Sequence, residues 1–181
     1  MKRITLFATL VLLLIGCWLA VDKTSAQPES PLSEFLIDQG EVIPVTGDEE
    51  DGLNNVLAQT DGFLEGYRVE GFRTIQVEED QAASAYVFNG VYRYQSEDQA
   101  QKQLETLTEG DLSEAEQVIY DGVAKTGMHT RAMKFIGSEG DAIYWFWGMK
   151  GQTLHLLMVN GADISPTQEL FEDLMARLLE H

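Results

Sequence analysis

The sequence predicts an α+β domain: an antiparallel sheet of about five strands with amphipathic helices packed against it. Three observations lead to this class. Apolar and polar residues alternate in several stretches after Phe72, as they do in half-buried strands. Two Ser-x-x-Gln segments, at Ser96 and Ser165, each introduce a helical apolar stripe. Short turns between the predicted strands favour antiparallel pairing. One arrangement of this class is a two-sided α/β/α sandwich.

The first 26 residues have the layout of a secretory signal peptide. Met1-Lys2-Arg3 is basic, Ile4–Val21 is almost wholly apolar, and a polar tail of small residues ends at Ala26. We favour cleavage after Ala26, which leaves residues 27–181 as a single extracytoplasmic domain in a periplasm, in a lumen or outside the cell.

Two alternatives for this segment stay open. Leu14-Ile15-Gly16-Cys17 resembles a bacterial lipobox, so lipidation at Cys17 is the second interpretation. In the third, the apolar run is retained as a membrane anchor, since its 18 residues are near the minimum that crosses a bilayer. The protein then meets the membrane only through this N-terminal segment.

In the N-terminal half, Ser30-Pro31 predicts a helix start and Gly40 its end. A second helix is expected over residues 49–59, followed by a loop-rich passage indicated by Gly62, Gly66 and Gly71. Two strands are then expected, over residues 73–78 and 83–95.

The C-terminal half is predicted to contain three helices and three strands. Helices are expected after Ser96, over Ser113–Tyr120 and after Ser165; strands are expected over Thr130–Ile136, Ala142–Met149 and Gln152–Asn160. This order of elements resembles that of small α/β/α sandwiches of the Mog1 and PsbP type, which occur as exported or lumenal accessory proteins. The resemblance implies a sheet between helices and assigns no functional residue.

The hairpin "YWFWGMKGQTLHLLMV" is predicted to turn at Lys150-Gly151, which pairs Trp147 with Leu154. One face is then wholly apolar and is interpreted as core beneath the C-terminal helix: Ile143, Trp145, Trp147, Leu154, Leu156 and Met158. The other face carries Tyr144, Phe146 and His155, which we predict as candidate ligand-binding residues, because aromatic surfaces with polar tips suit small ligands and peptides. The competing interpretation buries these three side chains beneath the N-terminal helices. Tyr86, Phe88, Tyr92 and Tyr94 are expected to extend this second face.

The formal net charge of −18 becomes −20 after cleavage at Ala26, because the removed segment holds three basic residues and one acidic residue. Such a surface repels phosphate backbones, so nucleic acid is not an expected partner. Residues 27–181 contain no cysteine, which excludes disulfides and thiolate chemistry there.

No catalytic or metal-binding motif is recognisable, and no cofactor or metal is expected. The three histidines, His129, His155 and His181, have no ligand-type spacing. The acidic runs at 47–52 and 78–80 are interpreted as solvated loops, since Gly47 and Ala58 break the calcium-loop pattern.

These observations predict an exported, non-catalytic accessory or binding module with an unknown protein or small-molecule partner. The alternatives are an extracytoplasmic hydrolase that uses carboxylates or His155, and a purely structural cell-surface domain.

Overall fold

The part of the chain that the structure describes folds around one antiparallel sheet of seven strands, so the α+β class is confirmed and the expected number of about five strands was wrong. The structure is a computed structural model that describes residues 31–37, 40–46, 52–78, 81–108, 117–137, 140–162 and 164–180. The predicted export segment with Cys17, most of the two acidic runs and His181 lie outside these residues. Among the described helices, none is long and apolar enough to cross a membrane.

The elements follow one another in this order: a 3₁₀ helix (Pro31–Phe35), β1 (Ile43–Pro44), α1 (Gly52–Ala58), β2 (Phe63–Glu78), β3 (Gln81–Tyr94), α2 (Glu97–Thr108), β4 (Gln117–Val123), β5 (His129–Ile136), β6 (Asp141–Lys150), β7 (Thr153–Ala162) and α3 (Ser165–Glu180). Across the sheet the strands are ordered β1-β2-β3-β7-β6-β5-β4, and every neighbouring pair is antiparallel.

Two predicted segments were assigned to the wrong type of structure. The passage with Gly62, Gly66 and Gly71 is largely strand, because β2 begins at Phe63. Gly66 pairs with Tyr92, and a Cβ atom on it would lie 2.8 Å from Cδ1 of that ring, so this glycine makes room for an aromatic neighbour and does not mark a loop. The helix predicted over Ser113–Tyr120 is contradicted from Gln117 onward, where β4 begins.

The β6–β7 hairpin turns one residue later than predicted. Lys150 pairs with Thr153, so Gly151 and Gln152 form the turn. Gly151 has φ +56 and Gln152 does not have positive φ, which fits a type II′ turn with glycine at its first central position. Moving the turn by one residue moves each pairing by two positions, and Trp147 faces Leu156. Because side chains alternate with a period of two, the composition of both faces is as predicted.

Helices pack against both faces of the sheet. The face that carries Tyr144, Phe146 and Leu157 packs against Phe171, Leu174 and Leu178 of α3, and we call it the α3 face. The face that carries Tyr92, Trp147, Leu154 and Leu156 packs against α1 and α2, and we call it the α2 face.

The predicted cover for the tryptophan side of the hairpin was therefore wrong, because the C-terminal helix lies on the opposite face. The tyrosine-rich side of β3 was also placed on the wrong face. Phe88 pairs with Met158 and Tyr92 pairs with Leu154, so this side of β3 belongs to the α2 face.

The segment 31–37, which contains the 3₁₀ helix, is fastened to the α3 face through Asn89. The Oδ1 atom of this fully buried side chain accepts a hydrogen bond from the Ile37 amide (2.8 Å), and its Nδ2 atom donates to the Leu156 carbonyl (3.1 Å). A buried amide with both ends bonded holds the 3₁₀ helix in place, where Leu32 is buried and Phe35 reaches His155.

Candidate functional site

The three residues predicted to bind a ligand lie inside the α3 face. Tyr144, Phe146 and His155 are 1%, 0% and 2% exposed. Tyr144 stacks on Phe171 of α3 at 5.3 Å between ring centroids, and Phe35 meets His155 edge-on at 5.6 Å. A ligand would reach these side chains only after displacing α3 or the 3₁₀ helix. Their ligand-binding role stays a prediction.

A groove of about 440 Å³ opens on the α2 face, between α2 and strands β4 to β6. It was not predicted from the sequence. Its lining combines carboxylates, one guanidinium, one imidazole and an apolar floor: Glu97, Gln101, Leu104, Glu105, Thr108, Asp121, Gly122, Val123, His129, Thr130, Arg131, Trp147 and Met149.

The helical wall of the groove is acidic. Glu97, Gln101 and Glu105 recur every four residues, which places them on one side of α2. Gln101 Nε2 donates a hydrogen bond to Glu105 Oε1 at 2.9 Å, and both glutamates are solvent-exposed. The rise of an α-helix puts these two carboxylates roughly 12 Å apart along the groove.

The sheet wall of the groove is formed by residues 121–123 of β4 and residues 129–131 of β5. Asp121 and Arg131 occupy paired positions and form an ion pair of 2.8 Å between Oδ2 and Nη2. Arg131 in turn faces Trp147, and His129 faces Met149. Arg131 carries the only guanidinium among the described lining residues, and Asp121 neutralises it. The carboxylates of the helical wall therefore give this described lining a net negative charge.

The α2 face also carries an exposed aromatic and aliphatic strip beyond the groove. Its members are exposed or only partly buried, and we call them the apolar band: Phe72, Tyr86, Phe135, Ile143, Trp145 and Met158. Four of them lie in one row across the sheet, because Phe72 pairs with Tyr86, Tyr86 with Asn160, Asn160 with Ile143 and Ile143 with Phe135. Phe72 is the most open, with 74% of its surface exposed.

The outer end of the apolar band is held rigid by polar contacts. Tyr86 donates a hydrogen bond from its hydroxyl to Glu70 Oε2 (2.6 Å), and Arg68 Nε lies 3.3 Å from Glu70 Oε1. Burial and then this hydrogen bond raise the pKa of Tyr86 to about 12. Phe72 packs edge-on against the fixed Tyr86 ring at 5.5 Å.

Trp145 and Trp147 connect the apolar band to the groove. Their rings stack at 5.5 Å with an interplanar angle of 11°. Trp147 is 1% exposed and forms part of the groove floor, whereas Trp145 is partly exposed and belongs to the band. The core interpretation of this hairpin face is therefore accurate for Trp147 and incomplete for Trp145, and the stacked pair places the groove next to the band.

Among the described residues, no group of three or more histidine, aspartate or glutamate side chains is arranged to hold a metal ion. Glu97 and Glu105 are too far apart to share one ion. The described lining and the apolar band can make non-covalent contacts with apolar and positively charged groups.

No protein-family model matches the chain, and a comparison with curated proteins gave no match. Among solved structures, the extracellular domain of PknH from Mycobacterium tuberculosis is similar to this chain. The two are 13% identical, the match covers 79% of this chain and 78% of that chain, and the TM-score is 0.47.

Proposed function

We propose that this protein is an extracytoplasmic, non-catalytic binding module that holds a segment of a partner protein on its α2 face. The observation that carries the proposal is the apolar band: along one row of five strands, four present exposed or partly exposed aromatic or aliphatic side chains, and β7 presents Asn160 between them. Contiguous exposed apolar surface on a soluble domain is typical of an interaction site.

The dimensions of the band suit an extended segment. Its main row crosses five strands, from β2 to β5, which corresponds to roughly 19 Å at the usual spacing between strands. An extended chain of about six residues covers that distance. Aromatic side chains such as Phe72 and Trp145 supply a large contact area at a small cost in conformational entropy.

Features of both faces of the sheet favour a binding module over the two alternatives predicted from the sequence. The hydrolase hypothesis invoked either carboxylates or His155, and His155 is buried against Phe35. Glu97 and Glu105 are farther apart than the roughly 5–9.5 Å between the carboxyl groups of glycosidases. The structural-domain hypothesis expects a fully covered sheet, whereas Phe72 is largely exposed.

The proposed location rests on the sequence of residues 1–26, whose basic start, apolar run and small-residue end are typical of export signals. The acidic composition of the chain suits an exported soluble domain, because a large net charge opposes self-association.

Selection from a random peptide-display library tests the binding module. We expect selected peptides to lose on the order of tenfold or more in affinity for a Phe72→Ser/Trp145→Ser variant, since exposed aromatic anchors dominate such interfaces. Val56→Ser is the matched control, because Val56 is a 54% exposed apolar residue of α1 outside the band. Circular dichroism verifies that each variant is folded. Peptides that bind the wild-type protein and the band variant equally well would contradict the proposal.

A further inference from the structure

We infer that the groove selects partner segments that carry lysine or arginine side chains next to apolar ones. This inference rests on the proposed function and names the chemistry of the segment that the α2 face receives.

The described lining of the groove carries a net negative charge. Among the described residues of its lining, Arg131 is the only lysine or arginine, and Asp121 neutralises it. The carboxylates of Glu97 and Glu105 are exposed on the opposite wall, and Gln101 donates one hydrogen bond to the second of them. An anionic partner group would be repelled there, whereas an ammonium or guanidinium group meets complementary charge.

The spacing of the two carboxylates on α2 matches the spacing of residues in an extended chain. Their separation along α2 is roughly 12 Å, and residues four apart on one side of an extended chain are roughly 13 Å apart. Two basic residues separated by three others therefore fit both carboxylates of the helical wall at once.

The lining of the groove also offers apolar surface, because Leu104 is only partly buried and Val123 is 57% exposed. A lysine or arginine side chain lays its methylene groups along such a surface while its charged end stays in water. Trp147 lines the groove and stacks on Trp145, so the apolar band lies next to the groove and is available to apolar residues that adjoin the basic ones. The formal charge of −18 on the whole chain further increases the association rate of cationic segments.

The test uses two synthetic peptides of equal length with a fluorescent label. One carries two lysines four residues apart with tryptophans between and after them, and the other has glutamates in place of the lysines. Binding is measured by fluorescence anisotropy at low and at physiological salt. We expect the lysine peptide to bind at least about tenfold more tightly than the glutamate peptide, and Glu97→Gln/Glu105→Gln to weaken the lysine peptide about tenfold.

The matched control is Glu169→Gln/Glu180→Gln, which removes the same charge from exposed positions of α3 on the other side of the sheet. It is expected to change the Kd less than about twofold. An equal loss in both double variants would overturn the inference, because overall charge and not the groove would then explain the preference.

The remaining outcomes separate this inference from the proposed function. If both peptides bind equally well and both lose affinity with Phe72→Ser/Trp145→Ser, the binding module stands and the basic preference is wrong. If neither peptide binds, or if binding does not respond to the band variant, the proposed function itself fails.

Discussion

Tyr92 lies across two glycines, and this contact explains their presence inside strands. A Cβ atom on Gly90 would lie 2.5 Å from the Tyr92 Oη and 2.8 Å from its Cε2, and one on Gly66 would lie 2.8 Å from its Cδ1. The ring is fully buried, and its hydroxyl donates a hydrogen bond to Asn54 Oδ1 of α1 at 2.8 Å. An aromatic ring laid over strand glycines covers their exposed backbone, and here it also fastens α1 to the sheet.

Gly90→Ala should therefore destabilise the fold by about 1–3 kcal/mol, because the anchored ring has to move away from the added methyl group. Urea denaturation measures the free energy of unfolding. Gly122→Ala is the control: its Cβ would lie 3.5 Å from the Tyr120 hydroxyl, an ordinary contact. We expect that change to stay within about 0.5 kcal/mol of wild type. Similar losses in both variants would show that crowding of Tyr92 is not the cause.

Tyr86 gives a test at high pH. Its pKa is raised from 10.0 to about 12, mainly by burial and then by the bond to Glu70. Because the folded-state pKa lies above the unfolded value, the stability linked to this group is complete below pH 10 and is lost as the pH rises through about 12. The ultraviolet titration of wild type minus that of Tyr86→Phe should show one phenolate transition near 12, and Glu70→Gln should move it downward. A difference transition centred near 10 would contradict this environment.

Among the secondary-structure elements, features that follow from the alternation of side chains were predicted correctly from the sequence. Features that depend on residues distant in the sequence were not. The two faces of the β6–β7 hairpin follow from alternation alone, so they were predicted although the turn was placed one residue early. The start of β2 was missed because Gly66 resembles a loop signal until Tyr92 is placed opposite it. The sequence did not predict the groove, because it depends on the strand order β6-β5-β4, which brings residues of β4 and α2 to the same groove.

The two Ser-x-x-Gln segments cap the N-termini of their helices differently, and this difference is testable. Ser96 Oγ accepts a hydrogen bond from the Gln99 amide at 3.3 Å, as an N-cap does. At α3 the Gln168 amide donates to the Ile164 carbonyl at 3.4 Å, and its side chain bonds Glu172. Ser96→Ala should therefore lower the free energy of unfolding by about 1 kcal/mol, and Ser165→Ala by clearly less. Chemical denaturation compares them, and equal losses would mean that Ser165 also caps its helix.

Across the whole fold, sequence patterns do not predict which helix covers which face of the sheet. Both α2 and α3 carry an apolar stripe, and both faces of the β6–β7 hairpin offer apolar partners. The faces are assigned by how β3 joins β7: Phe88 opposite Met158 directs the tyrosines of β3 toward α2. That long-range pairing decides that Trp145 stays at a surface and that Tyr144 and His155 are enclosed.

The excess of acidic residues makes a prediction for the entire fold. The chain has 30 acidic and 12 lysine or arginine side chains, so most carboxylates have no cation to pair with. Self-repulsion of this kind is screened by salt, whose Debye length falls from about 30 Å at 0.01 M to about 3 Å at 1 M. Raising sodium chloride over that range at pH 7 should raise the Tm by about 2–4 °C, which corresponds to roughly 1 kcal/mol for a protein of this size.

The control for this prediction is the same salt series near pH 4.3, the isoelectric point, where the net charge is close to zero. There the rise in Tm should disappear; a rise that persists would come from a general salt effect and not from acidic repulsion. The same salt acts in the opposite direction on the groove, because it screens the attraction between Glu97, Glu105 and a basic segment. Salt that stabilises the fold should therefore weaken binding of the lysine peptide. This salt dependence should be smaller in Glu97→Gln/Glu105→Gln than in Glu169→Gln/Glu180→Gln; an equal salt dependence would mean that the acidic surface as a whole attracts the peptide.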